Sequence, residues 1–307
     1  MRVDLEAVTA LRFEDGTPVR AASAVAPLGD GLLVAQDDAT VGCWLRPGTG
    51  AGTPVRLLPP VAGHDSFSTA QGTKHLKPDL EAAVAVALDD GPAVLLLGSG
   101  STPARTRAVL MGLRDGSTWT LARDLSPLYA RVTELLGLAP GQLNLEGACS
   151  LDGTLRWFHR GRPAAGLPSS SVDLDLAAVV ATVAGRAEPA DLQPTAVRRY
   201  ELGVIGGVGL AVTDAVALPD GSLLVSAAAE DSPNAYDDGP VLGSALAVVH
   251  GDRVRAVAAL PSVGGRVAKV EGLAVADWGP AGGRVVAVVD EDDPRAASPM
   301  LTLRVSL

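Results

Sequence analysis

The 307-residue sequence carries a formal net charge of −10 and only three lysines, which excludes strong electrostatic attraction to nucleic acid or to an anionic membrane. Its first residues lack a charged segment followed by an apolar run, so we expect no signal peptide and a cytoplasmic protein, which we take to be a monomer. Hydrophobic residues make up 47% of the chain beside 35 glycines and 22 prolines, which favours one domain over residues 1–307 with many short strands and turns.

The chain begins with residues 2–13, which alternate like a strand but have no partner nearby in the sequence. Five similar units follow, and each opens with a polar residue, an apolar strand, a turn and a second apolar strand. The opening residues are Ser23, Glu81, Glu146, Asp214 and Glu271, so the unit recurs every 57 to 68 residues. Recurrence at such a spacing indicates a repeat architecture.

The third unit, residues 144–160, shows the pattern most clearly. Asp152 and Gly153 separate its two apolar runs, and an Asp-Gly pair is typical of a tight hairpin turn because glycine accepts a positive φ. Cys149 lies in the first of these runs and Cys43 in an apolar run of the first unit. We therefore expect both thiols to be buried, without a metal-binding or redox role.

Each unit continues with further predicted strands, which gives antiparallel groups of four. The last unit supplies only three, and the N-terminal strand completes it. We therefore predict an all-β fold, a β-propeller of five four-stranded blades closed by that strand; the irregular third unit leaves six blades open as an alternative. Residues 126–137 predict a helical insertion, with Pro127 in the first turn and Gly137 as the stop, whereas residues 177–184 fit a strand or a helix.

In a propeller, the first strands begin and the second strands end at the same face, around the axis. The five opening residues should therefore converge at one mouth of the central channel, and four of them are acidic. Crowded carboxylates repel one another unless a cation or protons relieve the repulsion. Oxygen ligands without a Cys or His cluster favour Ca²⁺ or, alternatively, Mg²⁺. The predicted metal ligands are Glu81, Glu146, Asp214, Glu271 and Ser23.

A structural interpretation of these residues competes with the metal site. Acidic residues at strand starts can accept backbone N–H bonds from the neighbouring blade and so fasten the ring. Water inside an acidic channel would then satisfy the remaining oxygen atoms.

The second-strand ends and the loops on this face supply further candidates. His159 and His75 are the predicted acid–base residues, because imidazole titrates near neutral pH, and Arg160 is predicted to clamp an anion at the reaction site. For each residue alone, ordinary ion pairing with nearby carboxylates is the competing interpretation. The predicted substrate-binding residues are Lys74, Lys77, Arg162, Asp37, Glu230 and Asp290.

Three unit openings read Leu80-Glu81-Ala82, Leu145-Glu146-Gly147 and Val270-Glu271-Gly272-Leu273-Ala274. These motifs resemble the esterase-like phytase and regucalcin/gluconolactonase propellers. The resemblance implies a divalent cation held by acidic channel residues and the hydrolysis of phosphate esters or lactones. The wider sequence, including Thr213-Asp214-Ala215 and residues 230–239, is similar to a family of bacterial propellers with no assigned activity.

Two hypotheses follow for the function. In the first, the protein is a Ca²⁺- or Mg²⁺-dependent hydrolase of a small anionic ester or lactone. In the second, it is a non-catalytic propeller that binds a ligand or a protein, and its acidic channel is structural. The fold alone does not decide between them.

Overall fold

Five antiparallel sheets of four strands each surround one axis in the computed structural model, which describes residues 1–231, 239–291, 293 and 295–307. This confirms the predicted all-β propeller and its five blades. The motif residues within 232–238 lie outside the described part of the chain.

Blades one to three follow one another along the chain. Blade one contains β2 (Ala22–Leu28), β3 (Gly31–Gln36), β4 (Val41–Leu45) and β5 (Gly52–Arg56), after an N-terminal strand β1 (Arg2–Ala10). Blade two contains β6 (Leu80–Leu88), β7 (Gly91–Gly98), β8 (Arg107–Arg114) and β9 (Ser117–Asp124). Blade three contains β10 (Leu145–Leu151), β11 (Thr154–His159), β12 (Ser169–Asp175) and β13 (Thr195–Tyr200).

A two-stranded hairpin precedes the last two blades. One α-helix connects blades two and three, and a second connects the third and fourth strands of blade three. The hairpin consists of β14 (Val204–Ile205) and β15 (Val208–Gly209). Blade four contains β16 (Ala211–Ala217), β17 (Leu223–Glu230), β18 (Val241–His250) and β19 (Arg253–Ala259). Blade five contains β20 (Lys269–Gly279), β21 (Gly282–Asp290), β22 (Pro299–Ser306) and β1. The helices are α1 (Ser126–Leu136) and α2 (Leu176–Val183), and single 3₁₀ turns cover Lys74–Leu76, Pro103–Arg105, Pro163–Ala165 and Pro189–Asp191.

The N-terminal strand closes the ring. β1 pairs antiparallel with β22 along its length, from Arg2 opposite Ser306 to Ala10 opposite Pro299. The innermost strands β2, β6, β10, β16 and β20 contact one another in this order, and β20 contacts β2. The first and last parts of the chain therefore share one sheet, which joins the two ends of the chain and closes the ring.

Buried apolar clusters lie between neighbouring blades and form the core. The cluster between blades two and three also takes in α1 and α2, where Tyr129 packs edge-on against the fully buried Trp157 at 5.0 Å between ring centroids. Full burial of a large apolar side chain stabilises a fold by roughly 1.5–3 kcal/mol. α1 is thus part of the core.

Side-chain hydrogen bonds cap the first turns of the two helices, and a glycine ends α1. Asp124 accepts the N–H of Ser126 at 2.8 Å, and Gly137 ends α1 with a φ of 68°. The segment that fitted either a strand or a helix is α2, whose first turn is capped by Asp175, accepting the N–H of Ala178 at 2.9 Å. In the described part of the chain, no helix has the length and apolar character needed to cross a membrane.

A β-bulge interrupts the innermost strand of every blade near the same face. The register shifts at Ser23, Glu81, Glu146-Gly147, Thr213 and Glu271. A bulge turns the extra residue out of the regular alternation and so aims a side chain in a new direction. In blades three and five a glycine follows the bulged glutamate, because the next innermost strand lies too close for a side chain: a Cβ on Gly147 would lie 2.4 Å from a backbone atom of blade four.

Candidate functional site

A cavity opens on the axis at the face where the first strands begin and the second strands end. About 110 Å³ of it is accessible to the centres of water molecules, which is room for a small ligand or several waters. We call it the axial cavity. Its charged lining residues are Asp37, Lys74, Lys77, Asp79, Glu81, Arg105, Glu146, Arg160, Arg162, Glu230, Lys269, Glu271 and Asp290.

Backbone hydrogen bonds tie the strand ends together around the cavity. The N–H of Asp79, just before β6, donates to the carbonyl of Asp37, just after β3, at 3.1 Å. The N–H of Ser99 then donates to the carbonyl of Asp79 at 3.0 Å, and that of Leu145 to the carbonyl of Ser99 at 2.8 Å. Side chains from the ends of blades one, two and three are therefore fixed relative to one another.

Asp79 reaches this position through an unusual backbone conformation. Its φ is 55°, in the left-handed region that costs most L-residues energy but that aspartate tolerates better than larger side chains. The residue is 2% exposed. The conformation lets one residue place its backbone between two blades and its carboxylate in the cavity.

The first of two ion-pair networks joins blades one and two. The Lys77 ammonium lies 2.5 Å from an Asp37 oxygen and 2.6 Å from Asp79 Oδ1. Asp79 Oδ2 also accepts from Arg105 at 2.8 Å and from the Ser99 hydroxyl. We call these residues, together with Glu81, the blade 1–2 cluster.

The second network joins blades three, four and five. Arg160 binds Glu146 at 2.9 Å and Glu230 at 2.6 Å, and Lys269 binds Glu230 at 3.2 Å and Glu271 at 3.1 Å. Each cation in this chain of contacts bridges two carboxylates from different blades. The network therefore neutralises the crowded acids and fastens three blades together at the mouth.

Burial and neighbouring charge oppose each other in the blade 1–2 cluster. Burial alone would lower the pKa of Lys77, but the charges of Asp37, Asp79 and Glu81 raise it well above its ordinary value. Burial would raise the pKa of Asp79, but Lys77 and Arg105 keep it below its ordinary value. For Glu81, burial and the charges of Asp79 and Asp37 raise the pKa well above the usual range. Glu81 is thus the acid of this cluster that holds a proton most readily.

Glu146 carries a strongly displaced pKa in the other network. Its burial raises the pKa to about 8, although Arg160 acts in the opposite direction. One carboxyl oxygen, Oε1, accepts from the Asn144 amide at 2.8 Å and from Arg160 at 2.9 Å. The other oxygen, Oε2, is buried without a hydrogen-bond partner among the described residues. Burial thus favours the protonated form of Glu146, and the charge of Arg160 favours the ionised form.

Two of the predicted metal ligands have structural roles instead. The Ser23 hydroxyl donates to the carbonyl of Leu80 in the next blade at 2.6 Å. The Asp214 carboxylate accepts the N–H of Leu273 in blade five at 2.7 Å and does not line the cavity. The residue of blade four that corresponds to Ser23 is Thr213, which donates to Val270 in the same way at 2.6 Å. Asp214 matches the competing interpretation, in which acidic residues at strand starts accept backbone N–H bonds from the neighbouring blade, whereas Ser23 links the blades by donating to a carbonyl.

The other three predicted ligands line the cavity but are divided between the two networks. Glu81 belongs to the blade 1–2 cluster, whereas Glu146 and Glu271 are held by Arg160 and Lys269. The structure therefore does not bring all five together around one ion.

The two predicted acid–base histidines do not line the cavity. His75 is exposed in the 3₁₀ turn before blade two. His159 is 2% exposed, its Nδ1 lies 3.0 Å from the carbonyl oxygen of Asn144, and burial lowers its pKa to about 4. An imidazole that is neutral and shielded at pH 7 is a poor proton donor, so the carboxyl groups are better candidates for proton transfer.

The remaining predicted residues all line the axial cavity. Asp37, Lys77 and Glu230 make the ion pairs described above, and Arg160 lies between two carboxylates. The other three also line the axial cavity: Lys74, Arg162 and Asp290.

Several cavity residues escaped the sequence analysis. Asp79 precedes the recognised Glu81 by two positions, and Lys269 precedes Glu271 by the same interval. This shared spacing was a signal in the sequence, because the position two residues before a bulged glutamate lies at the start of the same innermost strand. Arg105 gave no such signal, since it lies in a 3₁₀ turn after β7 and reaches Asp79 only in the folded chain.

The blade 1–2 cluster has the donor set for a hard divalent cation. Asp37, Asp79 and Glu81 each offer a carboxylate oxygen, and these three atoms lie within 4.8 Å of one another. Glu81 has no hydrogen bond or ion pair with another described residue. Oxygen donors at this separation fit Ca²⁺ or Mg²⁺ better than zinc, which prefers nitrogen and sulfur.

Solved structures of the same general fold share little sequence with this chain. A candidate glycoside hydrolase from Parabacteroides distasonis matches at 10% identity and a TM-score of 0.50, over 92% of this chain and 86% of its own. An aldose sugar dehydrogenase from Streptomyces coelicolor, solved with bound PQQ, matches at 13% identity and 0.46, over 99% and 98%. A candidate gluconolactonase matches at 12% identity and 0.40, over 90% and 71%. At these identities the likeness concerns the fold alone.

Sequence comparison identifies the family directly. No curated protein matches the chain significantly. A family described as a family of unknown function (DUF6910) matches residues 73–294, a range that includes the innermost strands of blades two to five and most of the axial cavity. Because this match covers well over half of the chain, the protein belongs to the DUF6910 family.

Proposed function

We propose that the axial cavity binds a small anionic ester or lactone and hydrolyses it with the help of a divalent cation. The observation that carries this proposal is the convergence of Asp37, Asp79 and Glu81, whose carboxylate oxygens lie within 4.8 Å of one another in a cavity. Ca²⁺ and Mg²⁺ are bound in proteins by such oxygen atoms.

The blade 1–2 cluster already contains a positive charge that a bound cation would replace, the ammonium of Lys77. Lys77 places its ammonium between Asp37 and Asp79, while Glu81 has no partner among the described residues. Binding of a divalent ion would engage Glu81 and compete with Lys77. A bound cation would supply Lewis-acid polarisation of the substrate oxygen.

Glu146 is the proton donor in this proposal. At neutral pH the carboxyl is protonated, since burial raises its pKa to about 8. It can therefore donate to the leaving oxygen of an ester, and the resulting carboxylate is stabilised by Arg160 and the Asn144 amide. A proton donor with a pKa close to the working pH is the most effective kind.

Cation binding is tested by isothermal titration calorimetry of chelator-treated protein with Ca²⁺ and with Mg²⁺. The wild type should bind one ion, and Glu81→Gln should weaken the affinity at least about tenfold, because a carboxylate ligand is replaced by a neutral amide. Glu271→Gln is the matched control, since this carboxylate lines the same cavity but pairs with Lys269. Equal affinity in wild type and Glu81→Gln would exclude the blade 1–2 cluster as the site.

Hydrolysis is tested separately with a panel of phosphate monoesters, carboxylic esters and lactones in the presence of the bound ion. We expect Glu146→Gln to lower kcat by about 10²–10⁴-fold with little change in KM, the usual range for loss of a general acid. An active enzyme with unchanged kcat in Glu146→Gln would remove this residue from the reaction.

A second candidate function is a non-catalytic ligand-binding propeller. It is supported by the built-in cations, because Arg160, Lys269 and Lys77 already pair with most of the cavity carboxylates. In that case a ligand would bind with unchanged affinity after chelator treatment, and Glu146→Gln would alter binding but no turnover would be found.

A further inference from the structure

A second cavity adjoins the axial cavity on the side of blade one. It has about 610 Å³ accessible to the centres of water molecules, and most of its wall is carbon. Residues 66–71 form one wall, the ion pair of Arg20 and Asp38 lies in another, and Lys74 and Lys77 line both cavities. We call it the side cavity.

Lys77 contributes different chemical groups to the two cavities. Its ammonium binds Asp37 and Asp79 in the axial cavity, at 2.5 and 2.6 Å. What it offers to the side cavity is therefore the aliphatic stem, as a lysine does when its charged end is held elsewhere. The boundary between the cavities is thus polar on one side and apolar on the other.

The loop that forms the side cavity is built into the fold. Ser66 pairs with Ala39 next to β4, and the N–H of Phe67 donates to the carbonyl of Asp38 at 2.8 Å. Phe67 is 3% exposed and anchors the loop in the protein. The hydroxyl of Thr73 accepts the N–H of Ser68 at 3.0 Å and closes the loop. A space held by these contacts exists before a ligand arrives, which lowers the entropic cost of binding.

We propose that the ligand of the axial cavity has two parts, a charged head in the axial cavity and an apolar alkyl or aryl group in the side cavity. This inference rests on the proposed function, because it describes the non-reacting part of the same substrate. The two lysines that line both cavities, Lys74 and Lys77, carry it, together with the side cavity's exposed surface, which is mostly carbon although Arg20 and Asp38 also line it. Binding energy from such a remote group is what allows an enzyme to position a small reacting centre.

The test measures binding of methyl, n-butyl and n-hexyl phosphate by isothermal titration calorimetry in millimolar Ca²⁺. Burial of one methylene is worth about 0.8 kcal/mol, which corresponds to about fourfold tighter binding. We expect the affinity of the wild type to rise in this proportion as the chain lengthens. Ala70→Trp fills the side cavity from an exposed position on its wall and should abolish the rise while leaving methyl phosphate unaffected.

Ala281→Trp serves as the control, because Ala281 is exposed in the turn between β20 and β21, at the face opposite the axial cavity. It should retain the dependence on chain length. An affinity that does not change with chain length in the wild type, or that rises equally in Ala70→Trp, overturns the two-part ligand, as does failure of all three phosphates to bind. Loss of cation binding with the chain-length dependence intact would instead overturn the proposed metal-assisted reaction and leave this inference standing.

Discussion

Replacement of Glu146 by glutamine distinguishes a protonated from an ionised Glu146, because the two states predict opposite changes in the free energy of unfolding. Glutamine keeps the shape of the side chain and its carbonyl oxygen, but it neither ionises nor needs a proton. If Glu146 is a protonated acid at neutral pH, the substitution removes a cost of folding. If Glu146 is an ionised partner of Arg160, the substitution breaks a buried ion pair.

The magnitude follows from the pKa of Glu146, which burial raises from about 4.5 to about 8. Between these values the folded state binds one proton more than the unfolded state, so stability is fully present below pH 4.5 and falls as pH rises towards 8. One pKa unit corresponds to about 1.4 kcal/mol, which gives about 3 kcal/mol at pH 7 and about 5 kcal/mol above pH 8. We therefore expect Glu146→Gln to match the wild type near pH 4.5 and to exceed its stability by up to about 3 kcal/mol at pH 7.

Urea unfolding at pH 4.5, 6, 7 and 8.5 measures this difference directly. Glu134→Gln, at an exposed position on α1, should show no comparable change of the difference with pH. A loss of about 3–5 kcal/mol in Glu146→Gln at pH 7 would refute the reasoning, because a broken buried ion pair costs that much. Glu146 would then be ionised at neutral pH and could not serve as the proton donor.

Three further predictions concern other parts of the molecule. Lys77→Met should destabilise the protein by about 3–5 kcal/mol and enlarge the rise in Tm caused by millimolar Ca²⁺, because it removes the ammonium that competes for the same carboxylates; an unchanged Ca²⁺ effect would argue against a shared position. Gly147→Ala should cost at least about 1–3 kcal/mol in urea unfolding, since its Cβ would overlap a backbone atom at 2.4 Å, whereas Gly279→Ala, with no atom nearer than 4.0 Å, should be tolerated. Burial raises the pKa of Cys43 and Cys149 to about 12, so neither should react with iodoacetamide at pH 8 until the protein is unfolded, and stoichiometric labelling of the native protein would contradict this.

The repeat, the blades and the closure could be predicted because they depend on local signals. The Asp152-Gly153 pair adopts two successive positive φ values, 49° and 79°, as a tight hairpin turn requires. The unpartnered N-terminal strand and the three-stranded last unit complement each other, and this is visible from the order of elements alone. Such features do not depend on where any side chain points.

The alignment of blade four was wrong by one residue for a reason that lies in the bulges. The sequence matched Asp214 to the glutamates of other blades, but the bulge falls at Thr213 and leaves Asp214 among backbone N–H groups. A bulge shifts the two-residue alternation of a strand without changing its composition, so adjacent polar residues cannot be assigned to faces from sequence. At His159, by contrast, the regular alternation of a strand holds. His159 ends β11 next to the cavity residue Arg160, so alternation places the two side chains on different sides of the sheet.

The arrangement of ion pairs favours the blade 1–2 cluster as the position of the proposed divalent ion. With every group ionised, the two cations Lys77 and Arg105 leave one negative charge of the three carboxylates uncompensated. We assign this charge to Glu81. Burial and its acidic neighbours raise the pKa of Glu81 well above its ordinary value. The cluster can balance this charge by taking up a proton, which removes Glu81 as a ligand, or by exchanging the single charge of Lys77 for a double charge. The second course balances the three carboxylates fully. The other network also has three carboxylates and two cations, but each of its carboxylates lies within 3.2 Å of a cation, so an added ion would have to break an existing pair.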